Sequence, residues 1–360
     1  MTAMMLSRVP KTMSALSLVE AGDPPTLAMV ERDVPAPGPG EALLRVEACG
    51  FCHHDYLVMT GTLRRGVTPG VVLGHEIAGT VVALGAGATD FQEEDRVVSL
   101  LTAACGNCAR CRAGREHRCV NGVGIGHGRD GGFAEYVALP ETALVAVPTG
   151  VAPERAALLA CPAGVALSGI DTAEVAEGDT VVITGAGGGL GSHAVRLAAS
   201  RGAQVIAVTT SPDKTSGLEQ LGASVVVEYG DGPDLAEIAL AFTEDAGADA
   251  VIDTVGPPLW PDVLRCLGQY GRVVLLGDVT GEPTPVRLAE VIFRDLRLHG
   301  VSGVSRRTLE RCVAMAATGE LQPVVAGVLP FTQQGAEEAV RMVRERVPLG
   351  RVALAPNRPS

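Results

Sequence analysis

Residues 181–200 read VVITGAGGGLGSHAVRLAAS: an apolar strand, a glycine loop and the opening of a helix at about Leu190. Gly185, Gly188 and Gly191, with Gly189 and Leu190 between the last two, follow G-x-x-G-x-x-G and not the strict G-x-G-x-x-G. The physics is the same, because residues without side chains let backbone N–H groups and a helix N-terminus approach a pyrophosphate. A glycine loop alone also suits a tight turn. Here the strand before it and the helix after it are both legible, and dinucleotide binding is expected. The end of the next strand, Val205 to Val208, says which dinucleotide. Where an NAD site usually carries an acid for the ribose 2′-hydroxyl, the chain has Thr209, Thr210 and Ser211, with Lys214 just beyond. These hydroxyls and the ammonium can donate to a 2′-phosphate, so NADP(H) is expected over NAD(H). The alternative for Lys214 is a solvated lysine at a helix start.

Outward from this loop the chain keeps the same character. AQVIAVTT (203–210), VVVEYG (225–230), ADAVIDTVG (248–256) and GRVVLLGDV (271–279) are short, two-sided apolar strands, the mark of a parallel sheet with crossover helices. PERAALLACPAGVALSGI (153–170) reads as helical. Before about residue 150, LLRVEACG (43–50), IAGTVVALG (77–85), DRVVSL (95–100) and FAEYVAL (133–139) alternate with Gly/Pro-rich turns, the rhythm of a β barrel or sandwich. After about 300, TLERCVAMAATG (308–319) and AEEAVRMVRERVPLGRVALAP (336–356) return to amphipathic helix and strand. The expected fold class is α/β, with a β-rich domain over 1–159, a dinucleotide domain over 160–300 and a return to the first domain over 301–360. No internal repeat is evident.

The 360 residues suffice for two sizeable cores. Hydrophobic residues make up 47% and aromatics only 3%, with 45 glycines, which suits Val/Ala-rich strands and many turns. A formal charge of −12 argues against a surface that tracks nucleic-acid phosphates. No apolar run reaches the roughly 18–20 residues of a membrane span. The opening MTAMMLSRVPKTMSALSLVEAG reads as a ragged leader before the first strand and not as a signal peptide. The closing PNRPS reads as a frayed tail. A cytoplasmic, reducing location is expected.

Four cysteines, Cys105, Cys108, Cys111 and Cys119, lie in CGNCARCRAGREHRC as C-x2-C-x2-C-x7-C. Four thiolates so close in sequence can converge on one tetrahedral Zn²⁺, the closed arrangement of a structural site. Arg110, Arg112, Arg115 and Arg118 are placed to offset the charge left over. A zinc lobe is expected at about 103–122. A second group of candidate ligands is more dispersed: Cys52 in ACGFCHHD, His75 in LGHEIAG and Cys161 in LLACPAG. A catalytic zinc needs three protein ligands and an open position, and these would form a Cys₂His set. Taken singly, Cys161 could be a small buried hydrophobe, His75 a core histidine and Cys52 a strand-end thiol.

The segments PAPGPGEALLRVEACGFCHHD (35–55), PGVVLGHEIAGTVVALGAG (69–87), the four-cysteine lobe, GGFAEYV (131–137), LLACPAG (158–164), TGAGGGLGS (184–192) and VVLLG (273–277) occur in this order. Together they resemble the zinc-containing alcohol dehydrogenases of the medium-chain dehydrogenase/reductase superfamily, over nearly the whole chain. The resemblance implies a chaperonin-10-like β catalytic domain interrupted by a Rossmann domain, with the active site in the cleft between. It implies Cys52, His75 and Cys161 as ligands of a catalytic zinc, with Glu76 close enough to join them. Asp55 would orient the ligand histidine, and His53 would face the cofactor pyrophosphate. Gly277, closing VVLLG, joins the cofactor residues. Two zinc ions per chain and a homodimer or homotetramer follow, with the strand near Leu296–Val301 as a candidate for edge pairing. Cys49, three residues before Cys52, matches no ligand position; a Cys49–Cys52 zinc pair is the competing arrangement.

The chain departs from the family at the substrate. Where alcohol dehydrogenases carry a Ser or Thr that passes the alcohol proton inward, it has His54; where many place the relay histidine, it has Leu57. His54 is open to two roles, a general acid or a wall of the pocket. The expected reaction interconverts a carbonyl and an alcohol. Zinc polarises the oxygen, hydride passes to or from the nicotinamide, and His54 or water supplies the proton. VIAVTTSPDK (205–214) and FRDLRLHGVSG (293–303) look closer to reductases of enoyl thioesters or quinones, so reduction of a C=C bond conjugated to a carbonyl is the alternative. A protein that keeps zinc and nucleotide for structure or sensing is the rival from another class. Phe51, Tyr56, His127, Trp260 and the region near Phe293 are candidate pocket residues.

Overall fold

The β-rhythm before residue 150 is realised in a succession of short strands. In the computed structural model, residues 9–230 and 234–356 are described. The leader over 1–8 and the tail from 357 lie outside the described residues. β1 (Thr12–Glu20) and β2 (Thr26–Asp33) form an antiparallel pair. β3 (Glu41–Phe51) leads directly into α1 (His53–Met59). Then come β4 (Glu76–Leu84), β5 (Arg96–Ser99), β6 (Thr102–Ala103), α2 (Ala109–Arg112) and β7 (Val123–Gly124). β8 (Tyr136–Pro140), β9 (Leu144–Ala146) and α3 (Pro153–Ala157) complete this stretch.

The segment read as one helix over 153–170 is broken. Between α3 and α4 (Val165–Thr172) the chain makes a π-helical turn over Leu159–Gly164 that contains Pro162. Proline has no N–H to continue an α-helical ladder, and a π-bulge is one way a helix absorbs it. Cys161 sits on this turn.

The glycine loop follows β10 (Thr180–Ile183) and opens α5 (Gly189–Ser200). β11 (Gln204–Thr209), α6 (Thr215–Gln220), β12 (Val225–Glu228), α7 (Leu235–Phe242) and β13 (Ala248–Asp253) continue the alternation. α8 (Trp260–Arg265), β14 (Leu267–Leu275), α9 (Leu288–Phe293) and β15 (Arg297–Gly300) end it. The last elements are α10 (Arg306–Thr318), β16 (Val325–Pro330), α11 (Gln333–Arg344) and β17 (Arg351–Ala355). α10 begins where Ser305 accepts the Thr308 N–H and stops at Gly319, whose φ of +80° closes the helix in the left-handed region.

The described residues fall into two compact units, one within Met1–Cys161 and Val304–Ser360, the other Pro162–Gly303. In the first unit seven described strands share a sheet in the order β16-β17-β3-β4-β5-β9, with β8 also paired to β3. β3 is the hub. Its first half pairs with β8, its last residues, Cys49 to Phe51, pair with β17, and β4 runs antiparallel to it. The core of this unit includes Phe51 stacked on Phe133, ring centroids 5.5 Å apart. In the second unit six described strands pair in the order β12-β11-β10-β13-β14-β15, all parallel. The sequence order reverses between β10 and β13, the topological switch point at whose carboxyl ends doubly wound sheets bind nucleotides.

Candidate functional site

Two clusters of potential metal ligands occur among the described residues, and both lie in the first unit. The first gathers Cys105, Cys108, Cys111 and Cys119. Their ligand atoms stand within 4.8 Å of one another, with Sγ pairs at 3.4, 3.5 and 3.9 Å. Zn–S bonds of about 2.3 Å on a tetrahedron would separate the sulfurs by roughly 3.8 Å, so the set fits Zn²⁺. The Cys105 and Cys111 N–H groups donate to Cys119 and Cys108 Sγ, and backbone N–H groups hold the Cys108 thiol down at about 6. β6 and β7 pair at the base of the lobe. Arg110 and Arg112 point their guanidinium groups at the carbonyls of Arg118 and Asn107, bracing the lobe.

The second cluster is Cys52, His75, Glu76 and Cys161, all buried. Cys52 caps the start of α1, His75 precedes β4, Glu76 opens it, and Cys161 comes from the π-turn. The Cys52 and Cys161 sulfurs are 3.9 Å apart, again the separation a shared Zn²⁺ needs. The Cys161 thiol, hydrogen-bonded to Cys52, holds Cys52 well below the usual thiol range.

Asp55 organises two residues of the cluster. Its carboxylate accepts the Cys52 N–H at 2.9 Å and the Gly74 N–H at 3.3 Å, and it faces His75 Nδ1 at 3.2 Å. A carboxylate accepts, so His75 carries its proton on Nδ1 and leaves the Nε2 lone pair for a cation. Glu76 is fully buried, and neither of its oxygens has a hydrogen-bond partner among the described residues. Arg351 Nε, on β17, approaches Oε1 to 3.3 Å without hydrogen-bond alignment and is likewise unpaired. Burial pushes the Glu76 carboxyl up to about 7 against the opposing pull of Arg351. Two thiols, an imidazole lone pair and an orphaned carboxylate around one point are the donor set of a cation site. Gly50 leaves the room: a Cβ there would lie 1.9 Å from Glu76 Oε2. Cys49 is outside the cluster, its Sγ turned to the Gly50 carbonyl, which rules against the Cys49–Cys52 pair.

Beside the cluster three imidazoles stand in file. His54 lies 5.2 Å from His75, and His127 stacks on His54 at 5.1 Å. His127 Nε2 donates to the Arg65 carbonyl at 2.9 Å. His53 is exposed, its ring 5.7 Å from Tyr56, and Leu57 is half-buried on α1. Three pocket candidates prove to be core residues. Phe51 is wholly buried against Phe133, and Tyr56 is packed in the same core. Trp260 is packed inside the second unit and donates its indole N–H to the Pro285 carbonyl. Scarce aromatics are spent on packing here. Phe293, in contrast, is 79% exposed. Arg351 was not legible in advance: it lies some 300 residues from Cys52, and only the β3–β17 pairing brings it in.

In the second unit the glycine loop is close-packed. A Cβ at Gly191 would stand 2.2 Å from the Gly185 carbonyl oxygen, so α5 can start against the loop only without a side chain there. Asp253, at the end of β13, accepts from Thr184 Oγ1 at 2.6 Å and from the Val255 and Gly256 N–H groups, tying the loop to the neighbouring strand. Gly188, Gly189 and Leu190 form the loop-to-helix junction, and Gly277 follows β14 beside the Thr254 carbonyl. Thr209 is buried, Thr210 exposed and Ser211 half-buried. Lys214 is not a solvated lysine. It is 6% exposed, and its stem lies against Gly187, where a Cβ would meet Lys214 Cδ at 2.6 Å. The loop and its covering lysine fit a phosphate-bearing nucleotide.

Residues 38–149 match the alcohol dehydrogenase GroES-like domain, and residues 189–318 match the zinc-binding dehydrogenase domain. The acryloyl-coenzyme A reductase of Metallosphaera sedula is 36% identical over 89% of this chain and 93% of its own. Among solved structures, that of a protein named AibC superposes with a TM-score of 0.89 at 33% identity, covering 98% of both chains. An NAD-dependent alcohol dehydrogenase superposes with a TM-score of 0.88 at 32% identity, over 96% of this chain and all of its own.

Proposed function

Because the chain belongs to the zinc-containing alcohol dehydrogenase family of the medium-chain dehydrogenase/reductase superfamily, we propose that its buried Cys52–His75–Glu76–Cys161 cluster is the centre where a carbonyl and an alcohol are interconverted. The observation that carries this reading is the convergence of two thiols, the His75 Nε2 side and an unpaired carboxylate on one buried point. Zinc bound there supplies Lewis acidity, and a nicotinamide cofactor supplies the hydride. The chain's own residues set the stage: Asp55 orients His75, Arg351 offsets the buried negative charge, and His54 presents an imidazole beside His75. Replacing His75 with Ala abolishes turnover and removes the buried zinc while leaving NADPH affinity within about twofold. Retained carbonyl reduction by that variant overturns the reading.

Reduction of a C=C bond conjugated to a carbonyl is the second reading. It is favoured by His54 and Leu57, which stand where the hydroxyl-to-histidine proton wire of alcohol dehydrogenases would be, and by the acryloyl-coenzyme A reductase relative. Product analysis with an enone or enoyl thioester separates the two: an allylic alcohol supports the first, a saturated carbonyl the second.

NADP(H) is proposed as the preferred cofactor, supported by Thr209, Thr210, Ser211 and the Lys214 side chain laid against the loop. A kcat/KM for NADH equal to or above that for NADPH overturns it. A homo-oligomer is proposed through the β15 edge, supported by the adjoining exposed apolar residues Leu288, Ile292 and Phe293. A reducing, cytoplasmic location suits nine cysteines that are all free thiols. No helix among the described residues is long and apolar enough to cross a membrane.

A further inference from the structure

The loop that His127 holds carries two adjacent cations, Arg64 and Arg65. From Tyr56 to His75 the chain has no Asp or Glu, although its formal charge is −12. Both arginines are exposed. Arg64 Nε donates to the Gly61 carbonyl, and neither side chain makes an ion pair among the described residues. The loop is fixed in place. His127 Nε2 donates to the Arg65 carbonyl at 2.9 Å, the Thr68 N–H donates to the His127 carbonyl at 2.9 Å, and Thr68 Oγ1 donates to the Gly128 carbonyl at 2.9 Å. Asp130, in the same turn as His127, is already engaged with the Val72 N–H and stands 3.9 Å from Arg32. The position of this loop gives it meaning. Two ring contacts, 5.1 Å from His127 to His54 and 5.2 Å from His54 to His75, lead from its anchor to a zinc ligand. A pair of unneutralised guanidinium groups is therefore held a few side chains from the buried cluster, within a single unit.

We propose that Arg64 and Arg65 are specificity-determining residues that bind the phosphate groups of a coenzyme A thioester whose acyl end reaches the Cys52–His75–Cys161 centre. The proposal rests on the second reading above, in which a conjugated thioester is reduced. Guanidinium groups pair with phosphate oxygens through parallel N–H donors. An extended pantetheine arm spans on the order of 15 Å by ordinary bond lengths, a reach that matches two stacked rings and an arginine side chain. The arginines touch no reacting atom. They set which carrier of the acyl group is accepted, and their anchorage on His127 limits the entropy lost on binding.

The test compares an enoyl-coenzyme A with the matching enoyl N-acetylcysteamine thioester, which lacks the nucleotide phosphates, using the zinc-loaded full chain. The double variant Arg64→Gln/Arg65→Gln raises KM for the coenzyme A ester about tenfold, with kcat changed less than about twofold. KM for the truncated thioester and for NADPH stays put, and Arg64→Lys/Arg65→Lys recovers part of the loss. Equal losses with both thioesters, or a raised KM for NADPH, overturn the proposal, the latter by assigning the arginines to the cofactor. Wild-type enzyme that reduces aldehydes and neither thioester overturns it through the substrate reading, and no reduction of any carbonyl compound overturns the site reading itself.

Discussion

Asp55 does more with one carboxylate than its position suggests. One oxygen fixes the backbone of Cys52 and the other faces His75, so two clustered residues separated by more than twenty positions are registered by a single side chain. Asp55→Asn keeps the shape and weakens the hold on the imidazole. On the proposed two-zinc reading it is expected to lower zinc affinity at the buried cluster about 10–100-fold without changing zinc bound at the four-cysteine lobe, which metal titration by stoichiometry per chain measures. At this scale the convergence of Cys52, His75 and Cys161 was legible, because ligand chemistry restricts residue type. Arg351 was not, because arginine is common and its partner is chosen by strand pairing. Phe51 and Trp260 misled for a related reason: an aromatic suits a pocket or a core equally, and only burial tells which.

Among the elements, the π-turn and the start of α5 are the two places where backbone shape is committed to the sites. Leu159–Gly164 read as plain helix because its residues are small and apolar; the departure comes from Pro162, next to Cys161. The glycine loop between strand and helix was legible, and the close packing of Gly191 on Gly185 leaves no room for a side chain there. Gly191→Ala is expected to raise the Kd for the nicotinamide cofactor about tenfold or more while the metal content per chain is unchanged, readable by fluorescence titration beside metal analysis. Loss of zinc together with nucleotide binding would instead mean that the loop supports the whole fold.

For the whole molecule, the alternation of apolar strands and turns announced two units, and the short apolar strands of the second pair in parallel in the order β12-β11-β10-β13-β14-β15. The surface was less legible. Leu288, Ile292 and Phe293 have the composition of a core helix, yet they are 69, 64 and 79% exposed. On the proposed homo-oligomer, Phe293→Glu is expected to yield a smaller species in sedimentation analysis without loss of zinc. An unchanged sedimentation coefficient would place the interface elsewhere.

The hub position of β3 has a consequence for biogenesis. The half of its edge that ends beside Cys52 is covered by β17, and the 162–303 unit is made before β17 exists. During synthesis the stretch from Cys49 to Phe51 therefore lacks its β17 partner until the last residues are made. The nucleotide unit, contiguous in sequence, is free to fold in the meantime. Arg351 arrives with β17 and brings the counter-charge for Glu76. The strand and the counter-charge that flank the buried cluster are thus the last parts of it to be made, and an unpaired strand edge is exposed until then.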